Sequence, residues 1–156
     1  MSKFIAHVKQ PGVVVHVVVH ETHTKVYTTD GYEVFNMNYL FRGFQFAHRG
    51  AYIGYLHIPM VDKPEVVQTF VRRPRASLNT RQSTWVNTAC FSAFDYIPLA
   101  NYISEYSPVK YEDRYYKLSL NLPQRNGIKL LKDHVTRYPN QFPDLMYIDA
   151  DSKWTK

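Results

Sequence analysis

Residues Val13 to Val19 read Val-Val-Val-His-Val-Val-Val, six β-branched side chains around His16, and His20 follows at once. Two heavy atoms on each Cβ restrict χ1 and crowd a helical turn, so the run predicts a strand. Its lack of polar alternation predicts cover on both faces. An imidazole in such a strand needs a polar partner or a chemical task.

The other elements follow from local patterning. Pro11-Gly12 closes a short segment, Phe4 to Val8, that reads as an edge strand. The histidine-bearing strand extends to about Thr22, and Thr24 to Thr29 continues the extended character. Asp30-Gly31 then signals a hairpin with Tyr32 to Asn38 as the return strand. Tyr39 to Gly54 reads as loop and short strand, and Tyr52 to Met60 as a further strand. Pro64-Glu65 opens a helix that ends at Arg72-Arg73-Pro74, because proline and an acid suit the exposed amides of a first turn. Ala89, Ala93, Tyr96 and Ile97 follow helical spacing behind Asn87 or Thr88 as N-cap, which predicts a second helix with Cys90 in its first turn. Pro98 bends or breaks this helix, and Leu99 to Tyr106 continues it. Tyr115 to Leu122 alternates as a strand, and Asn126 to Tyr138 sets Ile128, Leu131, Val135 and Tyr138 on one helical stripe. The expectation is a single α+β domain over residues 1–156, a mostly antiparallel sheet with about three covering helices.

Composition narrows the setting. No apolar stretch approaches the ~20 residues of a membrane span, which implies a soluble protein without a membrane partner. The N-terminal residues lack a signal-peptide core and Cys90 is the single cysteine, so a reducing, intracellular (cytoplasmic) location is expected. Nineteen Lys and Arg against 13 Asp and Glu give a net charge of +6, which biases encounters toward anionic partners. Aromatic residues make up 15% of the chain; they fill cores first, but interleaved with cations they also suit a single-stranded nucleic acid, a protein partner or a homodimer interface.

Cys90 is the candidate nucleophile, since a helix N-terminus favours the thiolate and a strand histidine could act as its base. The order of elements, with His16 on a strand after Gly12, a hairpin at Asp30-Gly31, a strand over 52–60, a helix over 64–72 and Asn87-Thr88-Ala89-Cys90-Phe91 opening a helix, resembles the circularly permuted papain-like thiol hydrolases typified by lecithin:retinol acyltransferase relatives. The resemblance covers about residues 12–97. It implies acyl-thioester chemistry on amides or lipid esters, with Cys90 as nucleophile, His16 as general base and Glu33 or Asn36 orienting the imidazole. His20 competes with His16, because residues four apart on a strand share a face.

Three further patterns bear on chemistry. His16 and His20 lie ~13 Å apart on an extended strand, too far to share an ion, and Glu21 with His23 lacks a third ligand, so neither metal nor cofactor is called for. His20-Glu21-Thr22 and His134-Val135-Thr136 resemble the paired His-x-Thr signature of two-histidine phosphoesterases, but a helix over 126–138 would splay the second copy. Arg72, Arg73, Arg75 and Arg81 near Trp85 form a basic loop with a stacking platform, the combination that phosphate and base contacts use. The leading expectation is therefore a small basic, aromatic-rich binding protein for a protein or nucleic-acid partner, of a size and motif poverty that would fit a viral protein. The alternatives are a cysteine hydrolase and, behind it, a phosphoesterase.

Overall fold

A computed structural model describes residues 3–156 apart from 36, 62, 74–76, 140 and 141. In it the valine run is strand β2 (Val13–Val19), and both of its faces are covered. Val15, Val17 and Val19 enter the main core, while Val18 packs with Ala51, Ile53 and Ile97 on the opposite side. β2 lies between β3 (Thr24–Thr28) and β4 (Gly50–His57), and the sheet continues through β5 (Cys90–Ile97) to β7 (Ile128–Leu130). Every pairing in this five-stranded sheet is antiparallel except β5 with β7. A second sheet has the order β8 (His134–Thr136), β1 (Phe4–Val8), β9 (Leu145–Asp149), and β6 (Tyr106–Ser107) pairs with β10 (Trp154–Thr155). The architecture is α+β with mostly antiparallel sheets.

Helices cover the sheet. α1 (Asn38–Phe41) leads into a 3-10 turn at Arg42–Phe44, and α2 (Pro64–Val71) buries Val67, Phe70 and Val71, with its proline at the predicted position. α3 (Thr80–Val86) is capped by Asn79, whose side chain accepts from the Gln82 amide while Gln82 reaches back to the Asn79 amide. After α4 (Leu99–Ile103) comes α5 (Tyr111–Asn121), which buries Tyr111, Arg114 and Leu118.

Five local expectations need correction. Phe4–Val8 is the centre of its sheet, because segments more than 120 residues further along flank it on both sides. The hairpin partner of β2 is β3, turned at His20 to His23 with the His20 amide donating to the His23 carbonyl at 2.8 Å; Asp30-Gly31 does turn, but only an isolated bridge, Tyr27 with Glu33, follows it. Residues 90–97 are a strand, and Asn87 is the C-cap of α3 instead of the N-cap of a new helix. Phe91 and Ala93 enter the main core, and a register shift opposite Ile53 and Gly54 brings Phe94 and Asp95 to the other side, a bulge that blurs the period-two pattern. Residues 115–122 belong to helix α5, where burial follows 111, 114 and 118; Tyr116 and Leu120, of the supposed apolar strand face, are 64% and 66% exposed. The helix expected over 126–138 is two three-residue strands, each added to a sheet that distant residues had already built.

One buried ion pair joins the layers. Arg114 donates from Nε to Asp95 Oδ1 at 3.0 Å and from Nη2 to Oδ2 at 3.2 Å, and its Nη1 donates to the carbonyls of Val109 and Ser152 at 2.6 and 2.9 Å. The Tyr111 hydroxyl donates to Phe94 O, and the amides of Tyr111 and Glu112 donate to Ser152 and Ala150, so the start of α5 holds β5 and the chain after β9 together. Burial pushes the Asp95 carboxyl up, opposed by the guanidinium beside it. Replacing Arg114 with Ala strands a buried carboxylate, which should cost about 3–5 kcal/mol in urea unfolding, whereas Asp95→Asn combined with Arg114→Met should recover a large part of that loss.

Candidate nucleic-acid interface

The residues predicted to form a thiol hydrolase do not meet. Cys90 opens β5 opposite His57, and its thiol donates to the Thr88 carbonyl at 3.6 Å. His16 sits opposite Ile53, four residues further along β4 and one strand beyond it, so strand spacings separate it from Cys90 by ~16 Å. The imidazole among the valines does have a polar partner, the Tyr102 hydroxyl 3.0 Å from His16 Nδ1. Burial, with a contribution from the Lys156 charge, lowers its pKa. Glu33 is bound to Lys25 at 3.7 Å, His20 stacks on His23 with centroids 4.5 Å apart, and Asn36 lies outside the described residues.

The phosphoesterase pattern needs a different correction. His134 and Thr136 do lie on a strand, contrary to the helix expected there. They line a hollow with Ala6 and Tyr147, however, while His20 and Thr22 line one at the β2–β3 turn, so the two copies do not converge. Among the described residues, no cluster of three or more His, Cys, Asp or Glu could hold a metal ion, and no helix is long and apolar enough to cross a membrane.

In the predicted basic loop, Arg72 binds the Asp30 carboxylate and lies over the Tyr32 ring at 4.4 Å, and Arg73 Nε donates to Ser77 Oγ at 3.3 Å. The Trp85 ring sits 6.0 Å from Phe70 against the main core, Arg81 is exposed on α3, and Arg75 lies outside the described residues. Half of this surface is thus occupied by internal contacts.

A second exposed basic surface lies where β5 and β7 begin. Leu122 caps α5, Pro123 follows, and the chain turns through Gly127 at φ +86°, whose carbonyl accepts from the Phe91 amide at 2.7 Å. This loop encloses a cavity of about 830 Å3 whose polar lining includes Asn87, Thr88, Ser119, Gln124, Arg125 and Asn126. Exposed Arg125 lines the cavity, and exposed Lys129 and Lys132 follow on and just after β7. Among the described residues none of the three takes part in an ion pair, whereas seven other cations do. Sequence reasoning missed these residues because it placed Lys129 and Lys132 on a helix over 126–138; the spacing of three cations within eight residues was the available signal.

The second feature is the space between the two larger sheets. His7 on β1 is 2% exposed and lies flat on Phe94 of β5, with centroids 4.8 Å apart and planes 24° from parallel. Its Nε2 is 3.2 Å from the Tyr55 hydroxyl, which in turn donates to the Met146 sulfur at 3.7 Å. The other ring nitrogen, Nδ1, is buried and without a partner among the described residues. Burial pushes His7 down to about 4, so the ring is neutral near pH 7. Nothing in the local sequence singled out His7.

No protein-family model and no curated protein matches the chain. Solved structures do, and the chain shares their fold. The chain superposes on Pmar-Lig_PreS3 with a TM-score of 0.73 at 14% identity, and on Pmar-Lig_Pre with 0.74 at 12%; each match covers 99% of this chain and 40% of the other. The ATP-dependent DNA ligase from bacteriophage T7, solved in complex with ATP, matches with a TM-score of 0.61 at 13% identity over 88% of this chain and 50% of that one. The chain therefore spans about 40 to 50% of the length of these proteins, and what it shares with them is the fold. This overturns the resemblance to permuted papain-like hydrolases.

Two outcomes follow from the geometry. Alkylation of Cys90 by iodoacetamide should proceed at the same rate in the wild type and in His16→Ala, since the two groups are strands apart. His7 should make the fold acid-sensitive: its folded pKa lies below the ordinary 6.5, so as pH falls through 6.5 toward 4 the unfolded chain takes up a proton that the folded chain refuses. Urea unfolding should lose about 2–3 kcal/mol from this group between pH 7 and pH 4.5, and His7→Leu should show a correspondingly smaller loss.

Proposed function

We propose that this chain is a ligase-type domain that acts on nucleic acid, engaging the phosphate backbone with Arg125 at the polar cavity where β5 and β7 begin and with exposed Lys129 and Lys132 further along the same segment. The observation that supports the reading is the superposition of 88% of this chain on half of an ATP-dependent DNA ligase, joined to exposed Arg125, Lys129 and Lys132, which take part in no ion pair among the described residues. Hydroxyl and amide side chains beside arginine and lysine are the groups that contact phosphate oxygens, and they position a backbone without reading its sequence. The net charge of +6 adds long-range attraction. Arg72, Arg73 and Arg81 form a secondary contact in this proposal, with Arg72 diverted to Asp30. The catalytic form of the same reading is a nucleotidyltransferase that uses ATP, as the phage T7 ligase complex suggests.

Binding to a nicked DNA duplex, followed by fluorescence anisotropy between 50 and 200 mM salt, tests the proposal. Affinity should fall steeply with salt, and Lys129→Ala or Lys132→Ala should each reduce the log–log slope by about 1 while weakening all sequences alike. Salt-independent binding, or slopes untouched by these substitutions, would point to a protein partner instead.

A further inference from the structure

We propose that the hollow on the β8-β1-β9 sheet, lined by His134, Phe142, Asp144 and Tyr147, takes an unpaired nucleobase, so that this domain holds a single strand beside a duplex. The inference deepens the nucleic-acid reading above and rests on it.

Strand register builds the hollow. Ala6 of the central strand pairs with His134 on β8 and with Tyr147 on β9, so the three side chains form one row across the sheet. Successive side chains alternate, and since His7 lies against Phe94 of β5, this row faces away from the five-stranded sheet. A methyl group between two rings leaves a gap. The backbones that carry the rings are two strand spacings apart, about 10 Å, and a flat ring set between two others needs two van der Waals contacts of about 3.5–4 Å each. One base fits that space. The segment before β9 closes a further side: the Phe142 amide donates to the Tyr147 hydroxyl at 3.0 Å, which donates back to the Phe142 carbonyl at 3.3 Å, while the Lys9 amide donates to the Asp144 carbonyl at 2.9 Å. These bonds preform an opening of about 520 Å3.

The surroundings select a base as the occupant. Val135, Tyr138 and Phe142 are 60%, 64% and 60% exposed, so apolar and aromatic surface stands open to solvent at this place. Stacking on such rings is how single strands are held without regard to sequence. Lys132 lies two residues before β8 and Arg137 directly after it, both exposed and in no ion pair among the described residues. Cations at both ends of the strand suit the phosphates on either side of a bound base. Lys132 is also the last of the three cations assigned to the duplex, so the two surfaces are continuous along the chain. Asp144 brings a carboxylate to the lining, which repels a phosphate and accepts from an exocyclic amine. Adenine, cytosine and guanine carry that amine, and thymine does not.

Fluorescence anisotropy on the full chain, with a nicked duplex bearing no flap or a single-stranded flap of about five nucleotides, tests the proposal. A dA or dC flap should tighten binding about tenfold over the plain nick, and a dT flap by less. Phe142→Ala and His134→Ala, both at exposed positions, should each remove most of that gain while binding the plain nick as the wild type does. Asp144→Ala should keep a gain from stacking but bind dC and dT flaps alike. Lys129→Ala should weaken every substrate equally. Plain-nick binding with no gain from any flap would overturn this proposal and leave the phosphate-backbone reading standing, as would a gain that survives both Phe142→Ala and His134→Ala. Failure to bind either substrate would overturn both readings. A dimer in sedimentation that Phe142→Ala dissolves would assign the hollow to a second copy of this chain and overturn the base-binding proposal.

Discussion

The geometry of this protein depends on the bidentate pair between Asp95 and Arg114. Buried ion pairs bring little net stability, because desolvating both charges offsets their attraction, but they tolerate few alternative arrangements. Here one guanidinium contacts a strand carboxylate and two carbonyls from separate parts of the chain, Val109 and Ser152. The neighbouring Tyr111 hydroxyl bonds to Phe94 O, and Ala150 bonds onward to Lys3 beside β1. These bonds link the five-stranded sheet to the β8-β1-β9 sheet, and His7 lies against Phe94 between them.

A consequence is a division of labour between interior and rim. Inside, His7 of β1 stacks on Phe94 of β5 between the sheets. Outside, six cations pair with acids among the described residues, while exposed Arg125, Lys129 and Lys132 take part in no such pair and Arg125 lines a polar hollow. A protein that recognises a phosphate backbone needs little more than such a surface on a rigid support. The sheets supply such a support, and the loop from Leu122 to Gly127 lines the hollow.

Where local chemistry was strong, the sequence could be read directly. Six valines have one conformational preference, so β2 was legible, as were β4 and the proline-opened helix α2. Where segments satisfied two patterns at once, the wrong one was chosen. Residues 89–97 carry apolar side chains on both sides of a bulged strand, which mimics a helical stripe, and residues 115–122 alternate by accident while their buried positions keep helical spacing. The site fared worse. Cys90 and His16 were attractive because of their residue types, but strand register separates them. His7 looked ordinary because its significance comes from Phe94 and Tyr55, which lie far from it in the chain. The basic loop from Arg72 was correctly seen as cationic, yet its first arginine is tied to Asp30.

By itself the sequence determined the α+β class, a valine strand covered on both faces, the start of α2 and a basic surface, because each follows from side-chain sterics, capping chemistry or charge counted over a few residues. Only the tertiary structure decided that β1 lies at the centre of its sheet, that β7 joins β5 in parallel, and that an imidazole closes the gap between the layers. Those features arise from backbone hydrogen bonds and ring contacts between segments tens to more than a hundred residues apart, and no local period carries a trace of them.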